Sequence, residues 1–436
     1  MRPDGYGSRS YQAYVLAILT LIYACNFVDR QLLVILQEPI KHDLRLTDTE
    51  LGLLSGFSFA LFYVSCGIPI ARLADRTSRR TVIFAAVTVW SVMTTLCGLA
   101  LSYVQLLLAR IGVAVGEAGG SPPAHSMISD IFPPTRRATA LSVYSVGVHI
   151  GILTAFLLGG RLAAHFGWHT AFLVVGPPGI ILAFILRLTV REPTRGAAQP
   201  DAAAPRDGGT RPLGETLALL WSRRSFRHIA LVAGVQGLLV YGIGNWLASF
   251  FLRSFPIKIG ELSMWLALAV GLGGACGTLL GGFATDRLGS KDKRWYLWIP
   301  LLGVAIALPT LITILTTANL STALVLSFVF NCAINLYLAP IFAISHGLVD
   351  ARTRALVSSI LFFLSNLIGL GAGPTIIGIL SDRFAALGSM NSLRDAMLII
   401  GTVACLWGSV HYLLAAKALN GDLAKAPGQT RWGLVV

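Results

Sequence analysis

Long apolar blocks alternate with short polar segments along nearly the whole chain. Each block approaches the length of about 20 residues that an α-helix needs to cross the hydrocarbon core of a bilayer. A backbone exposed to lipid must satisfy its own hydrogen bonds, so blocks of this length predict membrane-spanning helices. We place twelve spans, at residues 11–36, 51–71, 81–101, 104–128, 138–160, 170–190, 228–252, 262–285, 295–317, 321–347, 355–380 and 394–416. The pattern predicts an all-α integral membrane protein with twelve transmembrane helices.

Composition agrees with a membrane protein and excludes other classes. Hydrophobic residues make up 55% of the chain and charged residues only 12%, whereas about a quarter of the residues of soluble domains are charged. The net charge of +14 does not indicate a nucleic-acid partner, because the basic residues do not form one patch. The six cysteines all fall inside apolar blocks, which favours free thiols over a disulfide framework. We expect no nucleic acid, no metal and no cofactor.

The positions of the basic residues predict the orientation of the chain. Most of the 34 Lys and Arg residues lie in loops on the same side as the N-terminus. The positive-inside rule places those loops in the cytoplasm. The first apolar block is too long for a signal-peptide core, so we expect it to remain as the first helix. The sequence thus predicts a multi-pass protein of the bacterial inner membrane with both termini cytoplasmic.

Two pairs of inner loops are alike and lie nearly the same distance apart along the chain. Asp75-Arg76 stands between spans 2 and 3, and Asp286-Arg287 stands between spans 8 and 9; a basic cluster follows each pair. The segments after spans 4 and 10 also match, at residues 135–142 and 352–358. Charged side chains at such positions can pin helix ends. We expect Asp75, Arg76, Asp286 and Arg287 to act in gating.

This repetition predicts two pseudo-symmetric six-helix bundles. The first comprises residues 1–190, and the second comprises residues 228–436, a range that includes a cytoplasmic tail. Between them, residues 191–227 are rich in Ala, Pro, Gly and Arg. That composition is typical of a flexible linker, and we expect a short interfacial helix at its end, from Gly214 to Arg227.

Four ionisable residues lie well inside the predicted spans: Asp29, Arg30, Arg110 and Glu117. A charge in the hydrocarbon region costs several kcal/mol, so each of the four needs a partner or a function. Arg110 and Glu117 lie nearly two helical turns apart on one face of span 4, separated by roughly 10 Å along the axis. A direct pair between them is one possible arrangement. The four residues predict a cluster that joins spans 1 and 4.

The surroundings of Glu117 suit a proton-coupled carrier. Neighbouring glycines allow another helix to approach closely, and Pro122 and Pro123 interrupt the helix just beyond. Burial and a nearby arginine act in opposite directions on the proton affinity of a carboxylate, so movement of the arginine could load and unload a proton. We expect Glu117 and Asp29 to take part in proton coupling, with Arg30 and Arg110 as the cationic switch. Purely structural ion pairs stay open as the alternative.

Weaker polar signals occur in the second half of the chain. The candidates to line a cavity are Asn245, Asn331, Asn335 and Asn366. Asparagine also bridges neighbouring helices for structural reasons, so both interpretations stay open. Glycine runs at 147–151 and 369–373 are more typical of tight packing between helices of one chain than of a dimer interface.

The repeated inner loops resemble the signature that major facilitator proteins carry between helices 2 and 3 and again between helices 8 and 9. Ala71 and Ser78 stand where glycines are common in the first copy, and both are small. The resemblance covers essentially the whole chain. It implies the major facilitator fold, with two six-helix bundles.

Within that superfamily the chain resembles the Spinster branch, which is associated with export of lysosphingolipids and lysophospholipids. The segments that carry the resemblance are Asn26-Phe-Val-Asp29-Arg30, Arg110-Ile-Gly-Val-Ala-Val-Gly116-Glu117-Ala118 and Ser121-Pro122-Pro123-Ala124. The resemblance implies a monomeric secondary transporter that moves an amphipathic lipid by alternating access. A charged head group would then bind Arg30 or Arg110.

Other functions stay open at this point. Within transport, the alternative substrate is a small organic anion or a drug, moved with protons. A non-transporting membrane sensor is a different class that the sequence leaves open. An enzyme is disfavoured because the chain contains no HExxH, GxSxG or P-loop motif. The inner loops are also too short to hold a nucleotide-binding domain, so we expect no ATP-driven pump.

Overall fold

The computed structural model describes residues 7–195, 213–349 and 353–425, and every regular element in those ranges is a helix. We number the helices in chain order. They are α1 Arg9–Leu44, α2 Asp48–Arg76, α3 Arg79–Cys97, α4 Tyr103–Glu117, α5 Ser121–Ile131, α6 Pro134–Thr189, α7 Leu213–Ser222, α8 Arg224–Ser254, α9 Ile259–Gly289, α10 Trp295–Thr316, α11 Leu320–Gly347, α12 Leu356–Ala386 and α13 Ser392–Leu423. The predicted all-α class is confirmed.

Within the described ranges, ten helices are long and apolar enough to cross a membrane. Two local features explain why ten such helices are found where twelve spans were predicted. The helix α6 covers spans 5 and 6, and Gly167, with φ of 83°, breaks the helical geometry between them. Span 4 is divided into α4 and α5 because Pro122 and Pro123 lack backbone N–H donors. Each of those two pieces is shorter than a full crossing.

Four of the described helices contain a turn of π-helix. The turns are Leu53–Phe57 in α2, Leu238–Ile243 in α8, Ala267–Leu272 in α9 and Ser365–Ala372 in α12. A π turn closes i→i+5 hydrogen bonds and so holds one residue more than an α turn, and such turns are frequent at functional sites. The turns in α2 and α9 occupy matching places in the two sequence repeats. The hydrophobic pattern did not predict them.

The connection between α1 and α2 is short and well capped. Arg45, in the left-handed region with φ of 54°, ends α1, and its N–H donates to the carbonyl of Lys41. Thr47 and Glu50 then form a capping box at the start of α2. This turn brings the charged ends of both helices together.

Contacts divide the chain into two compact units. Unit 1 comprises Met1–Gly208 and Phe251–Ala267, and unit 2 comprises Gly209–Phe250 and Leu268–Val436. The end of α8 and the start of α9 therefore belong to unit 1 by their contacts. The proposed bundle boundaries at residues 190 and 228 stay predictions, and residues 196–212 of the predicted linker lie outside the described residues.

The predicted interfacial helix is shorter than expected, because the chain turns at Arg223 between α7 and α8. The guanidinium of Arg223 donates to the carbonyl of Asp422 at 2.9 Å and to that of Lys425 at 2.6 Å. The side chain of Asp422 in turn accepts from the N–H and the hydroxyl of Ser225, both at 2.7 Å. These bonds fix the start of α8 to the end of α13 within unit 2.

The two glycine runs lie at close helix crossings inside their own units. In unit 1, a Cβ at Gly151 of α6 would lie 2.4 Å from the carbonyl oxygen of Ala24 on α1. In unit 2, a Cβ at Gly369 of α12 would lie 2.4 Å from the Cα of Gly237 on α8. Neither site accepts a larger residue without separating the helices. The interpretation as tight packing within the chain is supported.

Candidate functional site

The four intramembrane charges predicted from the sequence come together in unit 1. Asp29, Arg110 and Glu117 are 2%, 3% and 1% exposed, respectively. The side chain of Arg30 is 13% exposed, and its Nε donates to Oε2 of Glu117 at 2.5 Å. The charged cluster therefore links α1 to the C-terminal end of α4.

The arginine paired with Glu117 is Arg30, and the direct pair with Arg110 that the sequence left open is not formed in this structure. Nη1 of Arg110 lies 3.5 Å from the backbone carbonyl oxygen of Asp29, and Nε of Arg110 has no hydrogen-bond partner among the described residues. The seven-residue spacing does place Arg110 and Glu117 on one face of α4. Because the two residues are offset along the α4 axis, Arg110 lies beside the backbone of Asp29 and Glu117 lies beside the side chain of Arg30.

The second carboxylate oxygen of Glu117 is the chemically unusual atom of this site. Oε1 is buried and has no close hydrogen-bond partner among the described residues, although the Asn26 side chain also stabilises the carboxylate. A buried charged oxygen without a donor is costly. A proton on Oε1 removes that cost, while Oε2 can still accept from Arg30. The geometry thus allows Glu117 to take a proton without first breaking its ion pair.

The position of Glu117 follows from the local fold. It is the last residue of α4, directly before the three-residue break that precedes α5. At the adjacent Gly116, a Cβ would lie 2.6 Å from the backbone nitrogen of Trp90 on α3. This close approach packs α4 directly against α3 next to the carboxylate. The break ends the α4 hydrogen-bond ladder at Glu117, and α5 starts its own at Ser121.

Aromatic rings from α2 face the two arginines. Cζ of Arg30 lies 4.6 Å from the ring centroid of Tyr63 and 5.1 Å from that of Phe59. Cζ of Arg110 lies 5.0 Å from the Phe59 centroid. Aromatic faces attract cations at such distances. The sequence analysis missed these rings, and the available signal was two aromatic residues four apart in a span beside a charged one.

Arg79, rather than Asp75 or Arg76, is the centre of the ion-pair network at the predicted inner end of unit 1. It is 2% exposed. Its Nη1 pairs with Asp130, and its Nε donates to Oε1 of Glu192 at 2.9 Å. The sequence analysis did not select Arg79, because its partners are distant in the chain. The sequence signal that could have indicated this network was the pair of acids near the ends of α5 and α6, Asp130 and Glu192.

Glu192 lies beyond the end of α6 and is a strong acceptor. Burial raises its pKa, but the N–H of Arg80, the guanidinium of Arg79 and the hydroxyl of Ser78 lower it by more, so the pKa lies below its ordinary value of 4.5. The carboxylate is therefore charged at neutral pH. It ties the start of α3 to the segment after α6.

The four predicted gating residues are exposed at helix ends. The backbone carbonyl of Asp75 accepts from the guanidinium of Arg195, which also bonds the carbonyl of Thr77 at 2.8 Å. The other three residues are Arg76, Asp286 and Arg287. The matching loop of unit 2 also carries an ion pair between Asp292 and Arg294, at 2.7 Å.

A second buried charge cluster lies at the opposite end of unit 1. Nε of Arg253 donates to Oε1 of Glu38 at 2.9 Å, and Nη1 of Arg253 donates to Oδ2 of Asp48 at 2.7 Å. Lys41 also pairs with Asp48. One guanidinium thus holds the end of α1 and the start of α2. The sequence analysis missed this cluster, because Arg253 stands far along the chain from both acids.

The four candidate asparagines of unit 2 bond to their own helices. The side-chain amide of each donates to the backbone carbonyl four residues earlier, at 2.7–2.8 Å; the residues are Asn245, Asn331, Asn335 and Asn366. In this structure those N–H groups do not bridge helices. Their role in lining a cavity stays a prediction.

The buried ion pair between α1 and α4 and the repeated inner loops are consistent with the family that the sequence matches. The sequence matches the Major Facilitator Superfamily over residues 19–374. The chain belongs to this superfamily. Family membership identifies the major facilitator protein as a transporter rather than an enzyme.

Individual relatives give further information about this major facilitator protein. An MFS-type efflux pump of Mycolicibacterium smegmatis is 33% identical, with 96% of each chain covered. The crystal structure of a bacterial homologue of the human lysosomal transporter Spinster, inward-facing and unoccupied, superposes with a TM-score of 0.85 at 33% identity, covering 95% of this chain and 99% of that one. A hexuronate transporter of Bacillus subtilis is 25% identical over 90% of this chain and 93% of its own. The resemblance to Spinster proteins is confirmed.

Proposed function

We propose that this major facilitator protein is a proton-coupled secondary transporter that moves an amphipathic lipid of the lysophospholipid or lysosphingolipid type by alternating access. The observation that carries the proposal is the buried pair of Arg30 and Glu117, in which Oε1 of Glu117 is ready to accept a proton. The substrate class comes from the resemblance to the Spinster branch, and similarity to the bacterial Spinster homologue supports that branch.

Proton coupling follows from the change in attraction within the pair. When Glu117 is charged, it holds Arg30 and favours the arrangement described here. Protonation weakens that attraction and favours an alternative arrangement. The shift is limited by the difference in proton affinity between the two states, about 1.4 kcal/mol for each pKa unit of difference. Asp29, buried beside the same groups, is the second proposed proton-coupling residue.

The two arginines are the proposed ligands of the head group. Nε of Arg110 has no hydrogen-bond partner among the described residues, and the group otherwise has a long contact of 3.5 Å to the Asp29 carbonyl, the ring of Phe59 and the nearby Asp29 carboxyl. A guanidinium in that state gains most from a phosphate or carboxylate group, which accepts two parallel charge-assisted hydrogen bonds. Release of Arg30 on protonation of Glu117 would supply a second cation. Proton binding and head-group binding are thereby linked at one site.

A second candidate substrate is a small organic anion. It is supported by the similarity to a hexuronate transporter, because the same arginines would bind a sugar carboxylate. The two candidates differ in the apolar tail, which only the lipid has. Proton coupling through Glu117 is common to both.

Purified protein in liposomes tests the function directly. Lysophospholipids and hexuronates are offered separately, with and without an imposed pH gradient, and a protonophore serves as the control. We expect gradient-driven movement of the lysolipid that the protonophore abolishes. Movement of the hexuronate alone would favour the second candidate. Binding of either compound without any transport would indicate a sensor.

The proposed orientation has its own test. With the six native cysteines replaced, a single cysteine at residue 207 should react with an impermeant reagent only after the membrane is opened. We propose that both termini share that cytoplasmic side. Labelling of residue 207 in intact cells would reverse the topology.

A further inference from the structure

We propose that Phe59 is a positioning residue of the coupling site: its ring holds Arg30 and Arg110 in place relative to Glu117 and so sets the pH at which Glu117 takes up a proton. This inference rests on the proposed function. It assigns a role to an uncharged residue of a third helix, α2.

The geometry places one ring against two cations. Phe59 is 1% exposed, and its centroid lies 5.1 Å from Cζ of Arg30 and 5.0 Å from Cζ of Arg110. Arg30 stands on α1 and Arg110 on α4, so the ring connects three helices at the site. The ring of Tyr63, one helical turn further on, stacks against Phe59 at 6.0 Å and extends the same surface.

Two like charges in a dry site repel each other, and the Phe59 ring lies against both of them. Arg30 has its bond to Glu117, whereas Arg110 has one long contact and an unpartnered Nε. The negative face of a desolvated aromatic ring attracts each guanidinium. An aliphatic side chain of similar volume would fill the space without that attraction. The chemistry of the ring, and not only its bulk, is therefore required.

The π turn in α2 determines where this ring points. Leu53–Phe57 ends two residues before Phe59. The additional residue in a π turn rotates the following helix by about 100° relative to an uninterrupted α-helix. Nε2 of Gln37 on α1 donates to Oγ of Ser55 inside the turn at 3.3 Å. The π turn is thus tied to α1 and presents Phe59 and Tyr63 to the arginines.

Among the described residues, the permanent cations that act on Glu117 are the two arginines, Arg30 and Arg110. The charged groups that act on Glu117 directly are Asp29 and Arg30 on α1 and Arg110 on α4. The titratable groups beyond them are Tyr23 and Cys25 on α1, Tyr63 on α2, Cys97 on α3, His125 on α5 and Tyr144 on α6. Both permanent cations in this set contact the Phe59 ring. A change at Phe59 therefore acts on every fixed positive charge near Glu117.

The test compares Phe59→Leu with Phe59→Tyr, which keeps the aromatic face, and with Phe156→Leu, a matched change at a phenylalanine of α6 that is also 1% exposed. Two readouts are followed against pH: transport in liposomes, and the infrared band of the protonated Glu117 carboxyl group, assigned with Glu117→Gln. Looser arginines stabilise the charged carboxylate less. Phe59→Leu should raise the midpoint by about one pH unit, while the other two variants stay near wild type.

The infrared readout separates this inference from the proposed function. A raised infrared midpoint with transport that does not depend on pH would support the role of Phe59 and contradict proton coupling. An unchanged infrared midpoint in folded Phe59→Leu would overturn the role of Phe59, whatever transport shows. Phe59→Met, which also removes the ring, replaces the leucine variant if that variant does not give a monodisperse protein.

Discussion

Nε of Arg30 and Oε2 of Glu117 lie 2.5 Å apart in a site where the Glu117 side chain is fully buried. Taking both charges out of the surrounding water is costly, and the pair is stable only while both partners are present. Loss of one partner leaves the other without compensation. The contact therefore makes the position of Arg30 on α1 depend on whether Glu117 on α4 is protonated.

The first prediction concerns the energetics of this pair. Arg30→Ala should lower the free energy of unfolding by about 3 kcal/mol, because it leaves a buried carboxylate unpaired. Adding Glu117→Gln to Arg30→Ala should restore part of that loss. Denaturant unfolding of the two single variants and the double variant gives the coupling energy. Arg161→Ala, an exposed arginine of α6, is the control, and strictly additive effects would contradict a direct pair.

The second prediction separates the two arginines. Arg110→Ala should weaken substrate binding about tenfold or more, since a charge-assisted bond to the head group is lost. Its effect on the pH midpoint should be smaller than that of Arg30→Ala, because Arg110 does not bond Glu117 directly. Equilibrium binding and transport against pH are measured for both variants. Equal effects of the two variants on binding and on the midpoint would show that the arginines act as one group.

The third prediction concerns the inner network around Arg79. Arg79→Ala should destabilise unit 1 by about 3 kcal/mol, because Asp130 and Glu192 lose a buried partner. Arg76→Ala, at an exposed position of the same loop, should cost less than about 1 kcal/mol. Thermal unfolding in detergent measures both.

The pH dependence of that difference has a definite sign. The pKa of Glu192 is held below its ordinary value of 4.5 in the folded state, so its stabilisation is complete above that pH and is lost as the pH falls. Wild type and Arg79→Ala should become more alike in acid. A difference that grows as the pH falls would exclude Glu192 as the relevant partner.

The fourth prediction concerns Arg253, which bonds both Glu38 and Asp48. Arg253→Ala should speed opening of this end of unit 1, because two buried carboxylates lose their shared cation. With the native cysteines replaced, accessibility to a thiol reagent of a cysteine placed at Leu46, which is 6% exposed in the turn between α1 and α2, measures the opening. Lys258→Ala, a nearby exposed residue, is the control. Unchanged accessibility in Arg253→Ala would contradict a role of Arg253 in closing this end of unit 1.

The sequence predicted the helices and the charged quartet, because membrane spans and charges inside them have strong physical signatures. It did not predict which arginine pairs with Glu117. Spacing along α4 fixes the face on which Arg110 lies, but the pairing depends on the rotation and depth of α1 beside it. Those are properties of packing, and Gly151 and Gly116 act on them through backbone contacts that no periodicity records.

Two further features escaped the sequence for different reasons. The networks around Arg79 and Arg253 join residues far apart in the chain, so their proximity appears only in the folded structure. The π turn before Phe59 changes the register by one residue inside a span whose polar side chains nearby, Ser55 and Ser58, are few and small. Too few polar positions surround the turn to mark such a shift in the helical pattern.

Proton coupling through Glu117 is tested most directly by transport of a lysolipid in liposomes by wild type and Glu117→Gln, from about pH 5.5 to about pH 8, where a buried carboxylate can titrate. The glutamine imitates the protonated side chain and cannot change charge. We predict that wild-type transport varies with pH and that the Glu117→Gln variant shows one low, pH-independent rate. A Glu117→Gln variant with full turnover and the wild-type pH dependence would show that Glu117 is structural and would contradict the account.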